Sequence, residues 1–311
     1  MADVLLDLMQ VLRPRATLFG GFEGRGQWGL AFRARNDLLF CWVEQGECLV
    51  LKDGCLPVAL GAGDFLLIGT STPFRLASNI SAASVDSEEA VRRSHGKRLR
   101  LGAGEAAVVS AHAGKFVVSK ANANLLDGLL PQLVRISAED PSLERIRKLL
   151  AMNRAESLAP GPASEFVINR LVELILIEIL RNALNDADAN LRGVLSGLAD
   201  RHTQKAIAAM HGDVARAWTV AELARLCGAS RASFSAKFKR VLGVGPIEYL
   251  QRWRIALAKD KLDKGAMTVS EIAFSLGFGS SSAFSTAFKR MVGCSPARYK
   301  ADAEPPPVGR I

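Results

Sequence analysis

The sequence predicts an α+β chain in two parts. A small N-terminal β barrel or sandwich with packed helices is followed by an all-α part, in which two similar helical units are joined by a long helix. Three observations predict this. Residues 16–79 are short apolar runs punctuated by turn residues, the pattern of strands. After Asn124 the hydrophobic spacing changes to that of helices. One phrase is also written twice, as FSAKFKRVLG at 234–243 and FSTAFKRMVG at 284–293.

The first part reads strand by strand. DLLFCWVEQG, ECLVLKDG and CLPVALGAGDFLLIG are β-branched, aromatic and aliphatic runs, broken at Gln45-Gly46, Asp53-Gly54 and Gly61–Asp64 in the manner of hairpins. Phe40, Trp42, Leu49, Leu51, Val58 and Leu60 are expected to fill the interior, with Cys41, Cys48 and Cys55 on the opposite face. Residues 80–104 are polar and basic and read as a loop. AAVVSAHAG and KFVVSKA read as further strands. LLDGLLPQLVRI, PSLERIRKLLAMNRAE and EFVINRLVELILIEILRNAL read as helices. The last is apolar almost all round and needs cover on several sides, from the β part and from a second copy through Leu171, Ile175 or Ile179.

The repeated phrase belongs to a longer repeat. Thr219 and Thr268 stand three residues before Glu222 and Glu271, the capping-box pattern, so a helix starts there twice. Ala224 and Ala273 leave room for a crossing helix, and Gly228 and Gly277 end these helices. Ser230, and a serine among 280–282, cap the next helix. Phe234/Phe238 and Phe284/Phe288 fall at i, i+4 on one inward stripe. Helix, glycine turn and amphipathic helix make a helix-turn-helix, present twice. Between the copies, PIEYLQRWRIALAKDKLDKG is a helix of roughly 28 Å. Its apolar stripe is Leu250, Trp253, Leu257 and Leu262. That length approaches the ~34 Å at which a major groove recurs on one face of DNA.

Charge agrees. The chain carries a formal +9, and residues 201–311 hold 18 Lys/Arg against 8 Asp/Glu, so the excess lies in the helical units. A basic module beside a near-neutral one calls for a polyanion partner.

On these motifs, residues 200–300 resemble the AraC-type transcriptional regulators. The carriers are WTVAELARLCGASRASF, FKRVLGVGPIEYLQRWRIALA and EIAFSLGFGSSSAFSTAFKRMVGCSPARYK. The first 190 residues resemble the cupin-type sensor of one branch of that family, through CWVEQGECLV, ALGAGDFLLIGTSTPFRLAS, LLDGLLPQLVRI and the helix at 165–183. The resemblance implies a cytoplasmic, often dimeric activator that recruits RNA polymerase and answers to a small-molecule effector. It implies a cupin-like effector and dimerisation domain at 1–190 and a linker leading into the first helix at 191–204. A double helix-turn-helix domain at 205–300 and a disordered tail at 301–311 follow.

With the Phe stripes inward, the outer faces expected at DNA carry Arg231, Ala232, Ser235, Ala236, Lys239 and Arg240 in one unit. The other carries Ser281, Ser282, Ser285, Thr286, Lys289 and Arg290. The family's base-reading positions fall on Ala232, Ala236, Ser282 and Thr286, where larger polar side chains are usual. Alanine can meet only a thymine methyl, and Ser or Thr reads bases ambiguously. Specificity is therefore expected to lean on Arg231 and on DNA shape.

Other signals point away from catalysis. GRGQWG at 24–29 fits G-x-G-x-x-G, but a strand rather than a helix is expected after it. The histidines, His95, His112, His202 and His211, lack metal-ligand spacing, so no metal and no cofactor are expected. A cupin enzyme with a basic appendage is the alternative class, and stoichiometric metal would reveal it. A second alternative is a redox-sensing regulator using Cys41, Cys48 and Cys55; the competing reading makes them small buried residues. Cys227 and Cys294 read as packing residues. An odd number of cysteines, five, suits a reducing compartment. No apolar stretch is long enough for a bilayer and the N-terminus lacks a basic leader, so neither membrane nor secretion is expected.

Overall fold

The structure is a computed structural model of the chain, and it describes residues 3–35, 37–94, 98–104, 109–117, 133–185 and 193–303. These fall into two compact units, one of residues 12–117 and 133–195, the other of residues 3–11 and 196–303.

The first unit is a two-sheet sandwich with helices. Its strands are β1 (Arg15–Arg25), β2 (Gly29–Phe32), β3 (Leu38–Gly46), β4 (Cys48–Lys52), β5 (Val58–Leu60), β6 (Phe65–Gly69), β7 (Phe74–Ala77), β8 (Val85–Asp86), β9 (Leu99–Gly102), β10 (Val109–Val117) and β11 (Leu133–Ile136). One sheet has the order β11-β6-β3-β10-β1-β9 and the other β5-β4-β7-β2-β8. Gly29 opens a strand, which removes the nucleotide-loop reading of GRGQWG.

Several sequence expectations are corrected here. β3 and β4 do not form a hairpin: the chain turns a corner at residue 47 and enters the other sheet. The hairpin at Asp53-Gly54 does form, pairing Cys48 with Leu60 and Val50 with Val58. On β3 and β4 the inward faces are exchanged, while on β5 Leu60 faces the core as expected, with Val58 packed against it. Cys41, Val43, Cys48, Val50, Leu60, Leu66, Ile68 and Leu76 share the core between the sheets. Phe40 lies on the other face of its sheet, among the rings of Phe65 and Phe116 at 6.1 and 4.6 Å. The run LLFCWV is apolar at every position because both faces of its sheet are covered, and alternation then carries no sign. The 80–104 region is not a loop but β8, helix α2 (Ser87–Ser94) and β9, with β8 parallel to β2 and β9 parallel to β1. LVRI, read as the end of a helix, is β11, antiparallel to β6; the rest of LLDGLLPQ lies outside the described residues.

Helices α3 (Pro141–Leu158) and α4 (Ser164–Asn185) pack together, and α4 also packs on β1 and β11. Leu171, Ile175 and Ile179 are 6, 1 and 0 % exposed within this unit, so they are intramolecular core rather than the surface offered to a second copy. The exposed apolar residues of α4 are Phe166, Val167 and Leu174.

The cysteines do not share a face either. Cys41 and Cys48 are buried between the sheets, and Cys55 is exposed in the turn after β4. Burial, reinforced by the neighbouring Cys48, pushes the Cys41 thiol far up, and burial pushes Cys48 to about 12. A protonated buried thiol is a poor nucleophile, so the redox alternative finds no support in this geometry.

The second unit is helical. It begins with α1 (Val4–Leu12), whose residues up to Val11 belong here, and continues with α5 (Gly193–Ala199), the last four residues of which belong here, and α6 (Arg201–Gly212). The two helix-turn-helix units are α7 (Val220–Leu226) with α8 (Arg231–Leu242), and α10 (Val269–Ser275) with α11 (Ser281–Val292). Between them runs α9 (Pro246–Lys264), and α12 (Pro296–Ala303) closes the described chain. The first three residues of the expected tail are thus helical.

Inside this unit, His211 of α6 is fully enclosed. Its Nδ1 donates to Asp7 Oδ2 of α1 at 3.0 Å, its Nε2 accepts from the Tyr249 hydroxyl at 2.8 Å, and its ring stacks on Trp253 at 4.2 Å. These partners suit the neutral ring. Burial lowers the His211 pKa below its ordinary 6.5, although the Asp7 hydrogen bond opposes this. The unfolded chain therefore binds a proton first as pH falls. The stability this ring contributes is complete above about pH 6.5 and is lost as pH drops below it toward the folded value. Urea midpoints of the full chain at pH 7.5 and 5.5 should show a fall that His211→Gln reduces. An equal fall in that variant would assign the pH dependence elsewhere.

Candidate nucleic-acid interface

Both helix-turn-helix units are built from the same local chemistry. The Thr219 hydroxyl accepts from Glu222 N at 3.2 Å, and Glu222 accepts from Thr219 N at 2.8 Å, the reciprocal capping box. Thr268 and Glu271 repeat it at 3.2 and 2.7 Å. Hydrogen bonds from the Thr219 hydroxyl and backbone N–H, with Arg216 beside it, hold the Glu222 carboxyl down at about 2. Ser230 caps α8 by accepting from Ser233 N, and Ser280 caps α11 by accepting from Ala283 N.

The Phe pairs turn these second helices. Phe234 and Phe238 meet at 5.6 Å, as do Phe284 and Phe288, and all four are buried. Phe238 continues to Tyr249 at 5.9 Å, which seats the first unit on the N-terminal half of α9. The second unit shares its core with Ile255, Ala258 and Leu262 from further along that helix. With helices packed on both sides, α9 buries more than its expected stripe, including Tyr249, Arg254 and Ile255, while Leu257 is only half-buried.

The opposite faces are open. Arg231, Ala232, Ala236, Lys239 and Arg240 are exposed on α8, and Ser235 is half-buried. On α11, Ser282, Thr286, Lys289 and Arg290 are exposed, while Ser281 and Ser285 are half-buried. Ser281 Oγ donates to Ser270 Oγ at 2.9 Å, tying α11 to α10, and Arg290 donates to Gln251 Oε1 at 3.5 Å. The arrangement offers cations at the ends of both helices and small side chains along their middles.

Sequence reasoning missed three contacts. Lys237, on the same helix as Lys239, pairs with Asp200 at 2.7 Å. Burial alone would raise the Asp200 carboxyl, but hydrogen bonds from Lys237 and Thr203 outweigh it and hold it at about 2. Arg216 pairs with Glu222 at 3.0 Å and lies 4.1 Å over the Trp218 ring. Arg254 is buried at three backbone carbonyls. The only sequence signal was a charged residue inside the apolar stripe of α9.

Two helix-turn-helix units seated on one helix, basic on their open faces, define a DNA-binding domain of bacterial regulators. Comparison with known proteins agrees. A family model described as Cupin matches residues 3–185, and one described as Helix-turn-helix domain matches residues 223–302. A putative AraC-like transcription regulator of Streptomyces antibioticus is 36% identical over 299 residues, 96% of this chain and 98% of that protein. Its counterpart in Streptomyces lividans is 35% identical over the same shares. The HTH-type transcriptional regulator AlkR of Acinetobacter baylyi is 26% identical over 89% of this chain and 92% of its own. The chain belongs to the AraC-type transcription regulators that carry an N-terminal cupin domain. These relatives are transcription regulators rather than enzymes. Among the described residues, no three His, Cys, Asp or Glu side chains gather as metal ligands would, and no helix is long and apolar enough to cross a membrane.

Proposed function

We propose that this regulator reads duplex DNA with the outer faces of α8 and α11, each entering a major groove, and that the sandwich unit, within residues 12–195, senses a small organic effector. The observation that carries the reading is the matched exposure of Arg231, Ala232, Ala236, Lys239 and Arg240 on one helix and Ser282, Thr286, Lys289 and Arg290 on the other. Arg231 reads a guanine edge, and Ala232 and Ala236 lie against thymine methyls. Ser235, Ser281, Ser282, Ser285 and Thr286 accept either base pair, and Lys239, Arg240, Lys289 and Arg290 hold phosphates. Residues 205–303, to the end of α12, form the DNA-binding domain, and 191–204 lead into it. The protein acts in the cytoplasm as an activator that recruits RNA polymerase and catalyses no reaction.

Arg231→Ala is expected to relax base preference at one position of the selected site, at a cost of ~1–3 kcal/mol against the preferred base. Sequence selection with both proteins checks this. An unchanged preference profile refutes the assignment, and a full chain without DNA affinity at low salt refutes the whole reading.

Two features support the sensor and its pairing. A cleft of about 1090 Å³ opens where β8, α2 and β9 close the sandwich edge, lined by Trp28, Ser84, Asp86, Glu89, Arg98 and Arg100 among others. That is ample for a small organic molecule. Side chains of both sheets pack together in the core between them, which favours this cleft over the barrel interior as the effector site. The exposed Phe166, Val167 and Leu174 of α4, with Met152 of α3, form the surface for a second copy of the chain. Leu174→Glu should shift sedimentation from dimer to monomer without unfolding the chain. A dimer that persists at low micromolar concentration refutes this surface.

A further inference from the structure

The two reading helices must hold one spacing and one rotation if they are to enter successive grooves, yet each unit packs on its own half of α9. The segment 213–218, between α6 and α7, touches both. Val214 packs against the core of the second unit. Two residues on, Arg216 reaches the capping box of the first unit, where it pairs with Glu222 at 3.0 Å. The Trp218 indole N–H donates back to Asp213 O at 3.0 Å and closes the segment into a compact strap.

Arg254 fastens this strap. It stands on α9 between the two packing halves and is buried. Its Nε donates to Val214 O at 2.9 Å, its Nη2 to Arg216 O at 2.8 Å, and its Nη1 to Gly277 O in the turn of the second unit at 3.5 Å. The guanidinium carbon lies 5.8 Å from the centre of the Phe278 ring in that same turn. From the other side, a Cβ built on Gly277 would fall 2.0 Å from Ala215 O, so the strap lies directly against the turn. Only a guanidinium has donors forked widely enough for three carbonyls from two segments; a lysine has one nitrogen.

We infer that Arg254 is a positioning residue for DNA reading, which fixes the spacing and rotation of α8 relative to α11 by clamping the 213–218 strap between α9 and the turn at Gly277. It contacts no base and no phosphate. Its effect is on which separation of half-sites the domain accepts.

The inference rests on the DNA-binding reading, and the experiment separates the two. The probe is a duplex selected by the wild-type full chain from a random pool, with versions carrying one base pair inserted or deleted between the two contacted grooves. One base pair turns the far half-site by about 35° and moves it by about 3.4 Å. The wild type should lose affinity at least about tenfold on either change, as expected when one helix forfeits its base contacts. Arg254→Lys should keep a folded chain and its affinity for either half-site alone, with the insertion penalty reduced to under about threefold. Gly277→Ala, which displaces the strap from its other side, should reduce the penalty in the same way. Arg252→Met, an exposed neighbour on α9, should leave the wild-type penalty in place.

A full penalty retained in a folded Arg254→Lys chain overturns the inference. So does a wild type indifferent to spacing, since nothing then needs fixing. An Arg254→Lys chain without helical structure also overturns it, because the residue would then serve folding alone. A wild type with no DNA affinity at all defeats the DNA-binding reading instead.

Discussion

Replacing Phe288 by Ala is expected to destabilise the second helix-turn-helix unit by ~3–5 kcal/mol, the usual cost of removing a fully buried phenyl group. Phe288 is 0 % exposed. It sits edge-on between Phe284 at 5.6 Å and Tyr299 at 5.5 Å, in a core that also takes Ile255, Leu262 and Ile272. Each such ring pair adds ~0.5–1.5 kcal/mol beyond buried area. A whole domain is stable by only ~5–15 kcal/mol, so the loss removes a large part of what holds the unit. Chemical denaturation should report it as an earlier transition, and DNA affinity should fall to what the first unit supplies alone. Phe288→Leu, which keeps most of the volume, should lose far less. A Phe288→Ala chain destabilised by less than about 1 kcal/mol would mean that the core closes over the gap, and that the stripe does not organise the unit.

DNA affinity should also fall steeply with salt. If Lys239, Arg240, Lys289 and Arg290 each neutralise one phosphate, log K falls against log salt with a slope of about −3.6, a loss of roughly 150-fold between 50 and 200 mM. Lys289→Ala should make the slope shallower by about 0.9 and weaken all sequences alike. Lys237 supplies the contrast. Its ammonium is already held by Asp200 at 2.7 Å, so Lys237→Ala should leave the slope nearly as it was. A slope unaffected by Lys289→Ala, or one affected equally by Lys237→Ala, would show that the phosphate contacts lie elsewhere.

The helical units were legible in the sequence almost residue by residue, because their signals are local. A cap, its partner three residues on, a glycine turn and a Phe pair one helical turn apart all act within a few positions. The exposures of the reading faces follow from that phase alone. The sandwich was less legible because its logic is not local. Whether Cys41 or Phe40 faces the space between the sheets depends on what covers the other face of β3, and residues adjacent in sequence do not tell. The corner after Gly46 looked like a hairpin turn because Gln45-Gly46 suits both. Arg254 and Asp200 were missed for the same reason. Their partners are carbonyls and cations brought close by tertiary folding, at separations such as Arg254 to Val214. The cleft at the sandwich edge was hidden inside a stretch read as loop, since β8 and β9 are short parallel edge strands whose pairing needs β1 and β2 already in place.

The two turn glycines, counterparts in the repeat, are not free to drift alike. Gly228 and Gly277 share a left-handed backbone, at φ +66° and +75°. Around Gly228 nothing lies within 4 Å of where a side chain would begin, so the demand there is conformational only. Asparagine, which tolerates that region, is an acceptable replacement. Gly277 carries a second demand, because a carbonyl of the strap occupies the place of its first side-chain atom. One copy of the duplicated turn thus remains open to change, while the other has become part of the seam between the units. A swap of the two turns would transplant cleanly in one direction and not in the other.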